Sequence, residues 1–183
     1  MLISHEREKL LNTIVYFAKN TEACGKTKIL KLLYLLDFEH FKQTGRSVTG
    51  LKYYAWKMGP VPVDLYEELD HPEDDFKEHA RLVSVQAGDW ERKEVEPLTA
   101  FDPSHFSKRE LRMMEKLAAT YRESCANDMI GITHAENDAW DKVWQGGLGR
   151  NNLIPYDLAV GDEVKDDILS RAQESEEMRR NFG

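Results

Sequence analysis

Basic charge, cysteine and long apolar runs are all scarce in this chain. It has 25 Lys plus Arg against 33 Asp plus Glu, a formal charge of −8. A surface of that sign repels nucleic acid on average and suits a basic protein partner. Only 2 cysteines occur, Cys24 and Cys125. Two thiols alone make neither a disulfide framework nor a four-ligand zinc site; both are read as reduced and partly buried. No apolar run approaches the ~20 residues that span a bilayer. The start, MLISHEREKLL, places two glutamates where a secretory leader carries basic residues before an apolar core. The expectation is a cytoplasmic protein with no membrane partner.

The usual signatures of chemistry are missing too. Gly146-Gly147-Leu148-Gly149 is not followed by Lys-Ser/Thr and has no strand feeding it, so it makes no phosphate loop. No nucleophile elbow is present. The 6 histidines include no His-x-x-x-His or His-Glu-x-x-His spacing. Asp37, Glu39 and His40 share a helix, but a metal there lacks further ligands. His134 sits at a helix end and is read as structural, because a general base needs a partner that sequence does not place. Lys26, Lys28 and Lys31 crowd one helix start, where the macrodipole disfavours cations. They read as an exposed first turn, or else as a small cationic contact point. No catalytic residue, cofactor or metal is assigned.

What remains is a chain of 183 residues, 41% apolar and 32% charged, long enough for one domain spanning 1–183 with a real core. Ser4 is placed as the cap of a helix to about Asn20, with Leu10, Leu11, Ile14, Val15 and Phe17 on its apolar face. A second helix, about 27–43 and capped by Thr27, is apolar over most of its circumference from Ile29 to Phe41. Such a helix is usually contacted on several sides, so it is the expected core. Gly45 ends it. The aromatic run Leu51–Met58 reads as a short strand or irregular helix. Gly59-Pro60-Val61-Pro62 reads as a rigid turn, with Pro62 opening a helix over 63–69. An antiparallel hairpin at about 82–98 turns at Ala87-Gly88-Asp89. Ser107 and Glu110 form a capping box, and Met113 and Met114 behind it read as core filler. A short helix at 126–133 leads to a corner at 134–137, where Asn137 caps a helix carrying Trp140 and Trp144. Asp162 caps the last helix, about 162–180, whose polar tail beyond Gln173 is expected to fray. The fold class is α+β, mostly helical, with a compact helical core around the central buried helix.

Two blocks of residues resemble a known family. The first is Lys31-Leu32-Leu33-Tyr34, Asp37, Gly45, Val48-Thr49-Gly50, Tyr53 or Tyr54, Trp56, Gly59-Pro60-Val61-Pro62 and Leu65-Tyr66. The second is Ile132-Thr133-His134 followed by Asn137, Ala139 and Trp140. In this order and spacing they are similar to the Panacea (SocA-like) domain, with the strongest similarity over 25–144. The resemblance implies a non-enzymatic antitoxin that neutralises a cognate protein toxin by direct binding. The alternative it carries is a proteolytic adaptor that delivers a toxin to a ClpXP-type AAA+ protease. It implies a bacterial or phage origin and leaves a homo-oligomer open. The family-motif residues offered for partner binding are Tyr34, Asp37, Tyr54, Trp56, Gly59, Pro60, Val61, Pro62, His134 and Trp140. It also implies that Trp56, Pro60, His134 and Trp140 pack near one another. Two competing readings are an enzyme pocket built from Asp37, His40, Trp56 and His134, and nucleic-acid binding through the three lysines.

Overall fold

The computed structural model describes residues 5–135 and 139–182. Helix α1 spans Glu6–Asn20 and α2 spans Lys26–Thr44. The apolar periodicity of α2 runs all the way round, and the structure uses every side of it. Ile29, Leu32, Leu33, Leu36 and Phe38 are completely buried. Around α2 lie α1, α5 (Lys108–Thr120), α6 (Ala126–Ala135), α8 (Lys165–Phe182) and the short strand β2 (Gly59–Val61). The fold is mostly helical, with two small antiparallel sheets.

Local chemistry explains where the elements begin and end. Ser107 and Glu110 make both bonds of the capping box that opens α5. Gly45 closes α2 in the left-handed conformation, φ +72°. At the start of α2 the cap position is held by Gly25, and Thr27 already lies inside the helix. At the start of α1 the cap position is held by His5, not Ser4; the expected cap Asn137 and the corner at 136–137 fall outside the described residues.

The aromatic run and the Gly-Pro-Val-Pro run together form a hairpin. β1 (Tyr54–Trp56) pairs with β2, and Lys57-Met58 makes the turn between them. So Gly59-Pro60-Val61 is a strand, not a turn. Pro60 is tolerated because a proline at the edge of a two-stranded sheet forfeits no ladder bond it needs. Pro62 then precedes α3 (Val63–Glu68) and is not its first residue. A further helix, α4 (Asp74–His79), arises from the acidic cluster, whose carboxylates suit a helix N-terminus. Only Phe76 buries from it, too few apolar positions to reveal a period. β3 (Ala80–Ala87) and β4 (Trp90–Pro97) form the second hairpin, turning at Gly88-Asp89. α7 (Ala139–Trp144) precedes a glycine loop, and residues 151–154 return to line β1.

The C-terminal helix does not fray at Gln173. α8 continues to Phe182, preceded by a separate 3-10 turn at Asp162–Val164. Ile168 and Ser175 are buried, and Arg179 pairs with Glu6 at 2.8 Å. Val164, in the 3-10 turn, is exposed. The polar helix seats by close backbone approach instead. A Cβ added at Gly45 would lie 2.7 Å from the Ile168 carbonyl oxygen and 3.0 Å from the Ala172 nitrogen. Gly45→Ala therefore meets both a positive φ and a steric clash. It should lower unfolding stability by about 1–3 kcal/mol, measured by urea denaturation. A change below about 0.5 kcal/mol would contradict this seating of α8.

Candidate functional site

Lys28, Lys31 and Asp37 of α2 are buried, and each takes hold of a different chain segment. The Lys28 ammonium donates to the carbonyls of Glu22 and Arg122, both at 2.8 Å. The Lys31 ammonium donates to the Pro60 carbonyl at 2.7 Å. The Asp37 carboxylate accepts from the amides of Val48 and Thr49, both at 2.8 Å, from the Thr49 hydroxyl, and from the Tyr53 hydroxyl at 2.7 Å. One oxygen takes the two amides and the other takes the two hydroxyls. Burial pushes the Asp37 carboxyl up to about 6, with the four donors opposing that shift. Burial pulls Lys31 down to about 7 and also lowers Lys28. Lys28 and Lys31 are thus neither an exposed first turn nor a cationic contact point. Lys26 is spoken for as well: it pairs with Asp70 at 2.6 Å and lies 3.4 Å over the Tyr66 ring. The nucleic-acid reading loses all three of its residues.

The β1–β2 hairpin is held on both sides. Residues 151–154 bond the outer edge of β1: Asn151 donates to the Ala55 carbonyl, Ala55 to that of Asn152, and Ile154 to that of Tyr53. On the other side Gly59, at φ +99°, faces a polar cluster. A Cβ built there would sit 2.8 Å from Lys31 Nζ and 3.2 Å from both His134 Nε2 and Thr133 Oγ1. Only glycine fits that conformation and that gap. The His134 ring lies parallel to Trp140 at 3.8 Å. The Trp140 indole N–H donates to the Trp56 carbonyl at 3.0 Å. Trp144 also stacks on Trp140, at 5.4 Å, and Trp56 meets the Tyr66 ring edge-on at 5.1 Å. Burial and the nearby Lys31 charge lower the His134 pKa.

The structure therefore brings Trp56, Gly59, Pro60, His134 and Trp140 into one corner. Tyr34 and Asp37 stand apart from it, beneath the 48–53 connector. Tyr34, Asp37, Gly59, Pro60, Val61, Pro62 and Trp140 are buried, whereas Tyr54, Trp56 and His134 are partly exposed. Buried members shape the corner, and only the exposed ones can touch another molecule. Met58, at the hairpin turn, is 55% exposed beside them and was not singled out by sequence. Lys31, Thr133 and Tyr66, quoted in the family blocks, also belong to the corner. The signal for Lys31 was present, as a charge inside an otherwise apolar helix.

Among the described residues, Asp37, His40 and His134 belong to separate hydrogen-bond and packing sets. Asp37 is closed off by its four donors. The His40 Nδ1–H donates to the Arg46 carbonyl at 2.7 Å, in a different hydrogen-bond set. His134 stacks on Trp140. These three do not form a pocket, and Asp37 is not free to share a metal with His40. Among the described residues, Glu68, Glu73 and Asp75 cluster most like metal ligands. Arg7 occupies that cluster, bonded to Glu68 and Asp75. Two open clefts of about 640 and 600 Å³ flank α8, and neither is lined by Trp56, His134 or Trp140.

A family model described as the antitoxin SocA-like, Panacea domain matches residues 29–141. The chain belongs to this family. The Panacea match runs from the start of α2 into α7, so it contains both halves of the corner and leaves α1 and α8 outside. No curated protein and no solved structure matches the chain. No helix among the described residues is long and apolar enough to cross a membrane.

The Asp37 carboxyl yields a signed pH prediction. Its folded pKa, about 6, lies above the ordinary aspartate value of 3.8. Its contribution is thus fully present below the unfolded value and lost as pH rises through the folded one. Compared with Asp37→Asn, wild-type stability should fall by about 3 kcal/mol between pH of about 4 and about 7. Paired denaturation curves at several pH values measure this. A difference independent of pH would contradict the assignment.

Proposed function

We propose that this Panacea-domain protein neutralises a cognate protein toxin by stoichiometric binding in the cytoplasm, through the exposed rim of the motif corner. The observation that carries the reading is the division of labour at that corner. Lys31, Thr133 and Trp140 spend their polar groups on backbone carbonyls. What faces outward is Met58, Trp56, His134, Tyr66 and Trp144. Aromatic and methionine side chains on a rigid frame are the residue types that supply interface anchors. The net charge of −8 favours a basic partner. The absence of a catalytic constellation among the described residues favours masking over chemistry.

The test is co-expression with the product of the neighbouring gene, with toxicity and complex formation both measured. Wild type should restore growth and form a stable complex. Met58→Asp and Trp56→Ala should each weaken the complex about 30-fold or more, the size expected for an interface anchor. Met58→Asp, on an exposed turn, should leave the melting temperature unchanged. A neighbour that is harmless alone, or Met58→Asp and Trp56→Ala both binding like wild type, would overturn the reading. Protection that persists in cells lacking ClpXP-type proteases supports masking. Protection that vanishes there, with the toxin stable, would assign the adaptor role instead.

A further inference from the structure

The β3–β4 hairpin departs from the way proteins usually guard a sheet edge. Exposed edge strands normally carry charges or proline that discourage pairing with another chain. Here the charges sit on the wrong strand for that purpose. β4 holds Glu91, Arg92, Lys93, Glu94 and Glu96, whereas Leu82 to Gly88 has no charged residue. The charged strand is the one already covered, since the Val95 amide donates to the Cys24 carbonyl at 2.8 Å. The outer edge of β3 has no backbone partner among the described residues.

The register fixes which groups point outward. A two-residue loop closes on a hydrogen-bonded pair, here Ala87 with Trp90. Arg81, Val83, Val85 and Ala87 therefore spend their backbone groups on β4. Leu82, Ser84 and Gln86 direct theirs away from the hairpin. Side chains follow the opposite logic. Ala80, Leu82 and Val95 share the inner face, and Ala80 and Val95 are buried. The outer face carries Val83, Val85 and Ala87, with Trp90 60% exposed at its end.

We infer that this edge pairs with the same edge of a second copy, two hairpins joining antiparallel about Ser84 into a four-stranded sheet. The occupant follows from self-complementarity. With Ser84 on the two-fold axis, each Leu82 faces a Gln86, so all three outward backbone pairs find partners at once. On the outer face Val83 meets the second copy's Val85, and the four valines form an apolar centre. Arg92 and Glu94 flank it, giving the apolar core and charged rim typical of interfaces. No like charges meet across the new ladder. At each end Arg81 comes diagonally near the second copy's Asp89, and Trp90 reaches it across the small Ala87. This inference does not depend on toxin binding.

Sedimentation equilibrium over a concentration series tests it, together with crosslinking in a Cys125→Ser background. Wild type should approach twice the 21.2 kDa chain mass as concentration rises. Val85→Lys places charge in the apolar centre, and Ser84→Pro removes an outward amide without touching the hairpin's own ladder. Both should remain monomeric, with circular-dichroism melts close to wild type. Ser84→Cys should give a reducible dimer under mild oxidation, because paired Cα atoms about 5.5 Å apart suit a disulfide. Gln86→Cys, which faces Leu82, should not. A wild type monomeric at every concentration overturns the inference and leaves the edge to a strand of another protein. A dimer that survives both substitutions, or Gln86→Cys crosslinking as fast as Ser84→Cys, also overturns it.

Discussion

Lys28, Lys31 and Asp37 are buried on a single helix and spend their hydrogen bonds on backbone groups and hydroxyls. A buried polar group without a partner costs about 1–3 kcal/mol, and more if charged. Each of these residues therefore demands that a particular piece of chain come to it. Lys28 fixes the junctions at Glu22 and Arg122, Lys31 fixes the Pro60 carbonyl, and Asp37 fixes the 48–53 connector. The hydrophobic surface of α2 drives collapse but is non-directional. The polar side chains supply the direction. They determine where β1 and β2 lie, and so where Trp56 and Met58 face.

Much of this was legible in the sequence, and what was not has a common cause. α1, α2 and α5 announced themselves through apolar period, a local signal, although the caps of α1 and α2 are His5 and Gly25 and not the expected Ser4 and Thr27. The Ser107–Glu110 capping box is entirely local and appears as expected. The second hairpin was legible from alternation and its Gly-Asp turn, with its bounds displaced by two residues at the start and one at the end. Burial of lysine is a tertiary matter, so Lys28 and Lys31 looked like surface charge. Gly59-Pro60-Val61 looked like a turn because proline rarely sits in a strand. Only the pairing with Tyr54–Trp56 and the approach of Lys31 show why glycine and proline stand there. α8 was judged by its apolar positions, yet it seats by backbone contact at Gly45, which no hydropathy pattern records.

The motif residues named by family resemblance divide into two kinds once burial is known. Asp37, Gly59, Pro60 and Trp140 build the frame, and Trp56 and His134 show at its surface beside Met58. A frame made rigid by buried polar contacts lowers the entropy lost on docking a partner. That is a physical reason for the proposed binding surface to rest on buried charge. The outer edge of β3 lies outside the corner, so the proposed pairing of two copies and the proposed capture of a toxin need not compete.

The central claim is that α2 holds the connector and the corner as firmly as it holds the core. Native-state amide hydrogen exchange tests it most directly. The Val48 and Thr49 amides, which donate to Asp37, should exchange only through global unfolding, with the same free energy as the buried amides of Leu32 and Leu33. Exchange of Val48 and Thr49 through a local opening, several kcal/mol below the global value, would contradict it.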